Sequence, residues 1–233
     1  MNHNIVIGIE GYVGAGKTSI CKELLNQIPD SILLHGGNLY RAIVYAVMNS
    51  GIDLKDLTKK LENIDIKQVM DKMKIEIKLN QNRETELYMA GNLIKDEELQ
   101  SPKASMAVSM VGGIADNSRL YSFARDLINQ FKEKYHVIVS GRDLMNIYPD
   151  LDYHIMVVAS LEERVKRKAN QYCKDKLNLQ KLRESIVIRD ELQEKAGYYK
   201  IYPNTIQVDV TECESIEEST KKVLGHIKLL ELI

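Results

Sequence analysis

Residues 4–20 read "NIVIGIEGYVGAGKTSI", and three different patterns follow one another in that stretch. Residues 4–9 are a short, almost wholly apolar run, as expected of a parallel strand covered on both faces. From Gly11 to Thr18 the chain fits G-x-x-x-x-G-K-[ST] without a mismatch. "KTSICKELLNQI" then changes period, with Ile20, Leu24, Leu25 and Ile28 on one helical stripe and Pro29 to stop it. Strand, glycine loop, helix is the order a phosphate-binding loop requires.

The chemistry of such a loop is specific. Glycines let the backbone wrap closely round a phosphate, so that successive amides and the helix N-terminus point at the anion. This assigns nucleotide binding to Gly11, Gly14, Ala15, Gly16, Lys17, Thr18 and Ser19. Lys17 supplies a point charge toward the terminal phosphates, and the Thr18 hydroxyl can ligate Mg²⁺. A glycine turn that binds nothing is the competing explanation, but a turn needs no lysine followed by threonine.

Outward from the loop, apolar runs alternate with helical periods. "SILLH" (31–35) reads as a second buried strand, and "LYRAIVYAVMNSG" (39–51) as a helix closed by Gly51. Residues 53–71 carry a helical pattern. "KIEIKLN" (74–80) alternates strictly, and "TELYMA" (85–90) is its partner across a turn containing Gln81 and Asn82, forming a small antiparallel insert outside the main sheet. Pro102 opens a helical region to about Val111, and residues 119–134 predict a helix with Leu120, Phe123, Leu127, Ile128 and Phe131 on one face. "HVIVSG" (136–141), "HIMVVAS" (154–160) and "TIQVDV" (205–210) are further strands. "LEERVKRKANQYC" (161–173) and "NLQKLRESIVIRDELQEKAG" (178–197) are charge-rich helices, and residues 215–231 form a closing one. The alternation predicts an α/β fold of the P-loop NTPase kind, a parallel sheet with helices on both faces in three layers. No repeat or low-complexity linker divides the chain, so residues 1–233 read as one domain.

Composition narrows the function classes. Positive and negative side chains nearly cancel, 32 against 33, so no broad basic field recruits nucleic acid or an anionic membrane, and phosphate binding must be local. Cys21, Cys173 and Cys213 are far apart and in no metal-ligand spacing, which argues for reduced thiols in a cytoplasm. No apolar run approaches the length of a membrane span, and no leader pattern opens the chain.

A motor or switch would normally carry an acidic residue at a strand end to complete its metal site, and "HVIVSGRD" has none there. A small-molecule kinase instead places arginines round the transferred phosphoryl group, because positioning and charge stabilisation do most of the work. "GGNLYRAIVYAVMNSGID", "VIVSGRD", "YPDLDYHIMVVASLEERVKRK" and "ESIVIRDEL" occur here in the order found in bacterial cytidylate kinases. The chain resembles that family over nearly its whole length, including the strand pair from about residue 73 to 90.

The resemblance implies a nucleoside monophosphate kinase that uses ATP and Mg²⁺, with an acceptor-binding region at about 36–112, a lid at about 163–200 and a monomeric state. It implies that Tyr40, Arg41 and Arg142 hold the monophosphate, and that Asp143, Ser109 and Arg119 read the cytosine edge. A carboxylate can accept from the base amino group while arginine and serine donate to its carbonyl. Arg164 and Arg167 share a helical face, and Arg189 lies at the family's lid arginine position, all three as candidates to close over the phosphates. For Arg164 and Arg167 a solvated helix arginine is an equal alternative. The catalytic set is therefore Lys17, Arg142, Arg167 and Arg189.

Departures cluster on the acceptor side. Where the family carries an acid and a hydroxyl before its "GxxYR" stretch, this chain has His35 and Gly36. Ser140 stands where Asp normally precedes Gly-Arg-Asp, and the sugar-contacting Asp and second phosphate-contacting Arg fall on Gln193 and Ala196. Lys195 and Lys200 are candidates to replace the missing cation. Three readings follow: a divergent cytidylate kinase acting on CMP and dCMP, a kinase for another small acceptor, or a nucleotide-binding protein without transferase activity. The Tyr198–Tyr199 pair reads as lid packing, and His136 and His154 as structural.

Overall fold

The structure, a computed structural model, describes residues 4–38, 66–95, 98, 118–170 and 178–228. The elements in chain order are β1 (Val6–Gly11), α1 (Lys17–Gln27), β2 (Ser31–His35), α2 (Ile66–Lys72), β3 (Ile75–Leu79), β4 (Thr85–Met89) and β5 (Asn92–Leu93). They continue with α3 (Ser118–Lys132), β6 (His136–Ser140), α4 (Leu144–Ile147), β7 (Tyr153–Val158), α5 (Leu161–Asn170), α6 (Leu179–Lys195), β8 (Thr205–Asp209) and α7 (Ile216–Leu224).

Five strands form one parallel sheet in the order β2-β6-β1-β7-β8. The near-continuous apolar runs of β1 and β6 are buried along their whole length, because helices cover both faces. On one side Ile20, Leu24, Leu25 and Ile28 of the α1 segment pack with Ile7, Ile9, Leu33, Ile138 and Val223. On the other, Ala124 and Ile128 of α3 pack with Val6, Ile32, Val137 and Val139, joined by half-buried Phe123, Leu127 and Phe131. The expected α/β P-loop architecture is the one observed.

The insert is a separate sheet of order β3-β4-β5, antiparallel throughout. It does not hang free of the core. Glu84 bridges to Leu33, and the Arg83 carbonyl accepts from the Leu33 amide at 2.9 Å. The Arg83 guanidinium reaches the carbonyls of Leu25, Ile28 and Ser31, capping the end of α1. The small sheet thereby covers the β2 edge, which would otherwise present unpaired backbone groups. Glu84 also binds Lys22 at 3.0 Å and His35 at 2.8 Å.

One boundary differs from expectation, and one short helix was not expected. The closing helix ends at Leu224 rather than near residue 231, where Gly225 takes over as its C-cap. The short α4, lying inside "RDLMNIYP", has too few residues to show a helical period.

Candidate functional site

The P-loop joins the carboxyl end of β1 to α1, and its glycines are needed where they stand. A Cβ on Gly11 would meet the Val157 carbonyl at 2.7 Å, and Gly14 combines φ +82° with the Arg164 carbonyl at 2.9 Å from a Cβ position. The N-cap of α1 is Gly16, with no side-chain cap and no acid in the first turn. The positive dipole end of the helix therefore suits an anion. Thr18 is exposed in that first turn. Lys17 sends Nζ to the Gly141 carbonyl at 3.5 Å, linking the P-loop to the Gly-Arg-Asp loop that follows β6.

Arg142 and Asp143 occupy that facing loop. Arg142 has a buried Nε with no hydrogen-bond partner among the described residues, an arrangement that suits an incoming anion. Asp143 is the N-cap of α4, in left-handed backbone at φ 57°. Its Oδ2 accepts from the Tyr121 hydroxyl at 2.5 Å and its Oδ1 from the Asn146 amide at 2.7 Å. Behind the loop, Glu10 Oε1 accepts from the Leu144 amide at 2.7 Å and from His154 Nε2 at 3.1 Å. His154 Nδ1 then accepts from Thr205 Oγ1, which in turn accepts from the Tyr202 amide, a chain that one neutral tautomer satisfies. The histidine supports the loop from beneath.

Arg164 is not a lid cation and not a solvated one. It is 8% exposed, pairs with Asp190 of α6 at 2.5 Å, and donates to the carbonyls of Val13 and Ala159. Arg167 is likewise turned toward backbone: it donates to the carbonyls of Ala15, Val210 and Cys213 and pairs with Glu163. Both arginines do share a helical face, but that face braces the P-loop from outside. Arg189 is exposed on α6, close enough to Tyr199 that its charge favours the phenolate of that ring.

The end of α6 folds back onto the P-loop. Tyr199 stacks on Tyr12 with ring centroids 4.2 Å apart, and Tyr12 donates to Glu194 at 3.3 Å. Burial pushes the Tyr199 phenol up to about 12. Its hydroxyl donates to Gln193 Oε1, so the residue standing where the family has a sugar-contacting Asp is already engaged. Tyr198 is raised by burial and then by the Asp143 charge, which puts this tyrosine beside the facing loop. Lys200 curls back over Gly197.

His35 turns away from the cleft to Glu84 of the insert, so its unusual position serves the sheet edge. At Gly36 a Cβ would sit 3.3 Å from the Ser140 carbonyl, a tight approach that glycine relieves. Ser140 lies within hydrogen-bonding reach of the Cys21 thiol. Tyr40, Arg41 and Ser109 lie outside the described residues, as does the side chain of Arg119, whose backbone belongs to α3. The structure thus brings together Lys17, Thr18, Arg142 and Asp143. It adds Glu10, Tyr121 and Asn146, which sequence reasoning missed. A charge inside the apolar β1 run was the available signal for Glu10.

Among the described residues, no group of three or more His, Cys, Asp or Glu side chains could hold a metal ion, and no helix is long and apolar enough to cross a membrane.

A family model described as cytidylate kinase matches residues 7–229. The cytidylate kinase of Clostridioides difficile (strain 630) is 29% identical over 234 residues, spanning 97% of this chain and 99% of that one. The cytidylate kinase of Bacillus thuringiensis (strain Al Hakam) is 27% identical over 232 residues, spanning 97% of each. A solved structure from Thermus thermophilus overlays with a TM-score of 0.49 at 18% identity, covering 99% of both chains.

Proposed function

The chain belongs to the cytidylate kinase family, and we propose that it transfers the terminal phosphoryl group of ATP to CMP and dCMP. Family membership makes it a nucleoside monophosphate kinase; the cytosine acceptor is our reading. What supports that reading is the pairing of two loops: Lys17 of the P-loop lies 3.5 Å from Gly141, next to Arg142 and Asp143.

In this reading the P-loop amides from Gly11 to Ser19 and Lys17 hold the donor phosphates. Arg142 receives the acceptor phosphate on its Nε, which has no partner among the described residues, and Asp143 accepts a hydrogen bond from the base amino group. The Thr18 hydroxyl would hold Mg²⁺, which would supply charge neutralisation at the phosphates. Tyr40, Arg41, Ser109 and Arg119 complete the acceptor site, and Arg189 closes over the transferred group with the lid. Arg164 and Arg167 act one step back, by fixing the loop. No histidine is needed, because positioning and electrostatics carry phosphoryl transfer.

An acceptor panel tests the assignment. ADP release is expected with CMP and dCMP and to be much weaker with UMP and AMP. Equal turnover of all four, or turnover only with a phosphate-free metabolite, would reject the cytosine acceptor.

A further inference from the structure

One stripe of α3 holds the loop that carries Asp143. Tyr121, Arg125 and Asn129 are spaced four residues apart, so they lie one above the next on a helical face. Each reaches a different point of residues 143–148. Tyr121 donates to Asp143 Oδ2 at 2.5 Å, and Arg125 donates from Nε to the Ile147 carbonyl at 3.0 Å. Asn129 accepts from the Tyr148 hydroxyl at 2.9 Å. The Tyr121 ring packs half-buried against the core formed by Val6, Ile32, Val137 and Leu144, so its hydroxyl projects from a fixed base.

The lower two contacts hold the loop at the Ile147 carbonyl and at the Tyr148 side chain. The uppermost is different, because it ends on the Asp143 carboxylate, the proposed base-reading acceptor. With Tyr121 on Oδ2 and Asn146 on Oδ1, both carboxylate oxygens are held by donors, and each keeps acceptor capacity for a ligand. Left-handed backbone at Asp143 leaves the loop little freedom to re-aim them.

Resting on the proposed cytosine acceptor, we infer that Tyr121 is a positioning residue for base selection. Its hydroxyl sets the Asp143 carboxylate to accept from the exocyclic amino group of the pyrimidine and so to turn away a carbonyl at the same position. The tyrosine touches Asp143 and acts through it. A ring carbonyl facing that carboxylate would leave both acceptors without a donor, which costs binding strongly.

The test is Tyr121→Phe, which keeps the ring in its packing and removes the hydroxyl. KM for CMP is expected to rise about tenfold with kcat nearly unchanged, and the CMP-over-UMP preference in kcat/KM to fall by a similar factor. KM for ATP stays the same. Arg125→Ala serves as the comparison: it loosens the loop without removing a donor from Asp143, so KM for CMP rises while base preference holds. An unchanged CMP-over-UMP ratio in Tyr121→Phe overturns the inference, as does an equal loss of preference in both variants. Parent enzyme that fails to phosphorylate CMP overturns the acceptor assignment and this inference with it. Parent activity on CMP with an unaltered Tyr121→Phe overturns the inference alone.

Discussion

Arg164 of α5 and Asp190 of α6 meet at 2.5 Å beneath the phosphate loop, and the same guanidinium donates to the Val13 carbonyl inside that loop. One buried ion pair therefore ties the helix that carries Arg189 to the backbone that grips the nucleotide. Tyr12 adds a second tie, its ring lying under Arg164 at 5.2 Å and against Tyr199.

Breaking the pair from one side strands a charge in the interior. Asp190→Ala is expected to lose about 3 kcal/mol of stability in chemical denaturation. KM for ATP should also rise, because Arg164 is then free to leave Val13. A change within about 0.5 kcal/mol would show that the pair is not a brace.

The insert is pinned to the sheet edge by a carboxylate. Burial raises the Glu84 carboxyl, but hydrogen bonds from His35 and Lys22 outweigh it and hold the group below its usual 4.5. A depressed folded value means that the stabilisation is present above the unfolded value and lost as pH falls through the folded one. Glu84→Gln should therefore be less stable than the parent near neutrality, with the gap in urea midpoint closing below pH 4.5. A gap independent of pH would contradict this.

Cys21 lies fully buried on α1, and burial pushes its thiol up to about 11 despite Lys17 and Ser140 nearby. A protonated, enclosed thiol is a poor nucleophile. Alkylation at about pH 8, followed by site-resolved mass spectrometry, should leave Cys21 unlabelled in the folded protein and labelled after denaturation. Labelling of the native chain would place the thiol in an open, activated setting.

The fold was largely legible in the sequence because its signals are local. The apolar runs of β1, β2, β6 and β7 and the strict alternation of β3 correspond to burial on both faces or on one. The two-residue β5 and four-residue α4 are too short to carry a period, and the helical period over residues 215–231 continues past Gly225, where the helix itself stops. The candidate site's motifs, at Lys17 and Thr18 and at Arg142 and Asp143, are local in sequence and fall on two loops joined by the Lys17–Gly141 contact. The sequence was opaque where a residue works through tertiary contact. "EERVKRK" shows that Arg164 and Arg167 share a face, but not that the face meets carbonyls of the P-loop rather than phosphates. Likewise nothing local marks Tyr121 as a partner of Asp143, which lies 22 residues away.

The most direct test of the account is CMP-dependent ADP formation by the parent protein and by Lys17→Ala, with ATP and Mg²⁺ supplied. The account predicts turnover by the parent with CMP and dCMP, and a loss of about a hundredfold or more in Lys17→Ala with the fold intact. Absence of CMP-dependent ADP formation by the parent, or turnover indifferent to Lys17→Ala, would contradict it.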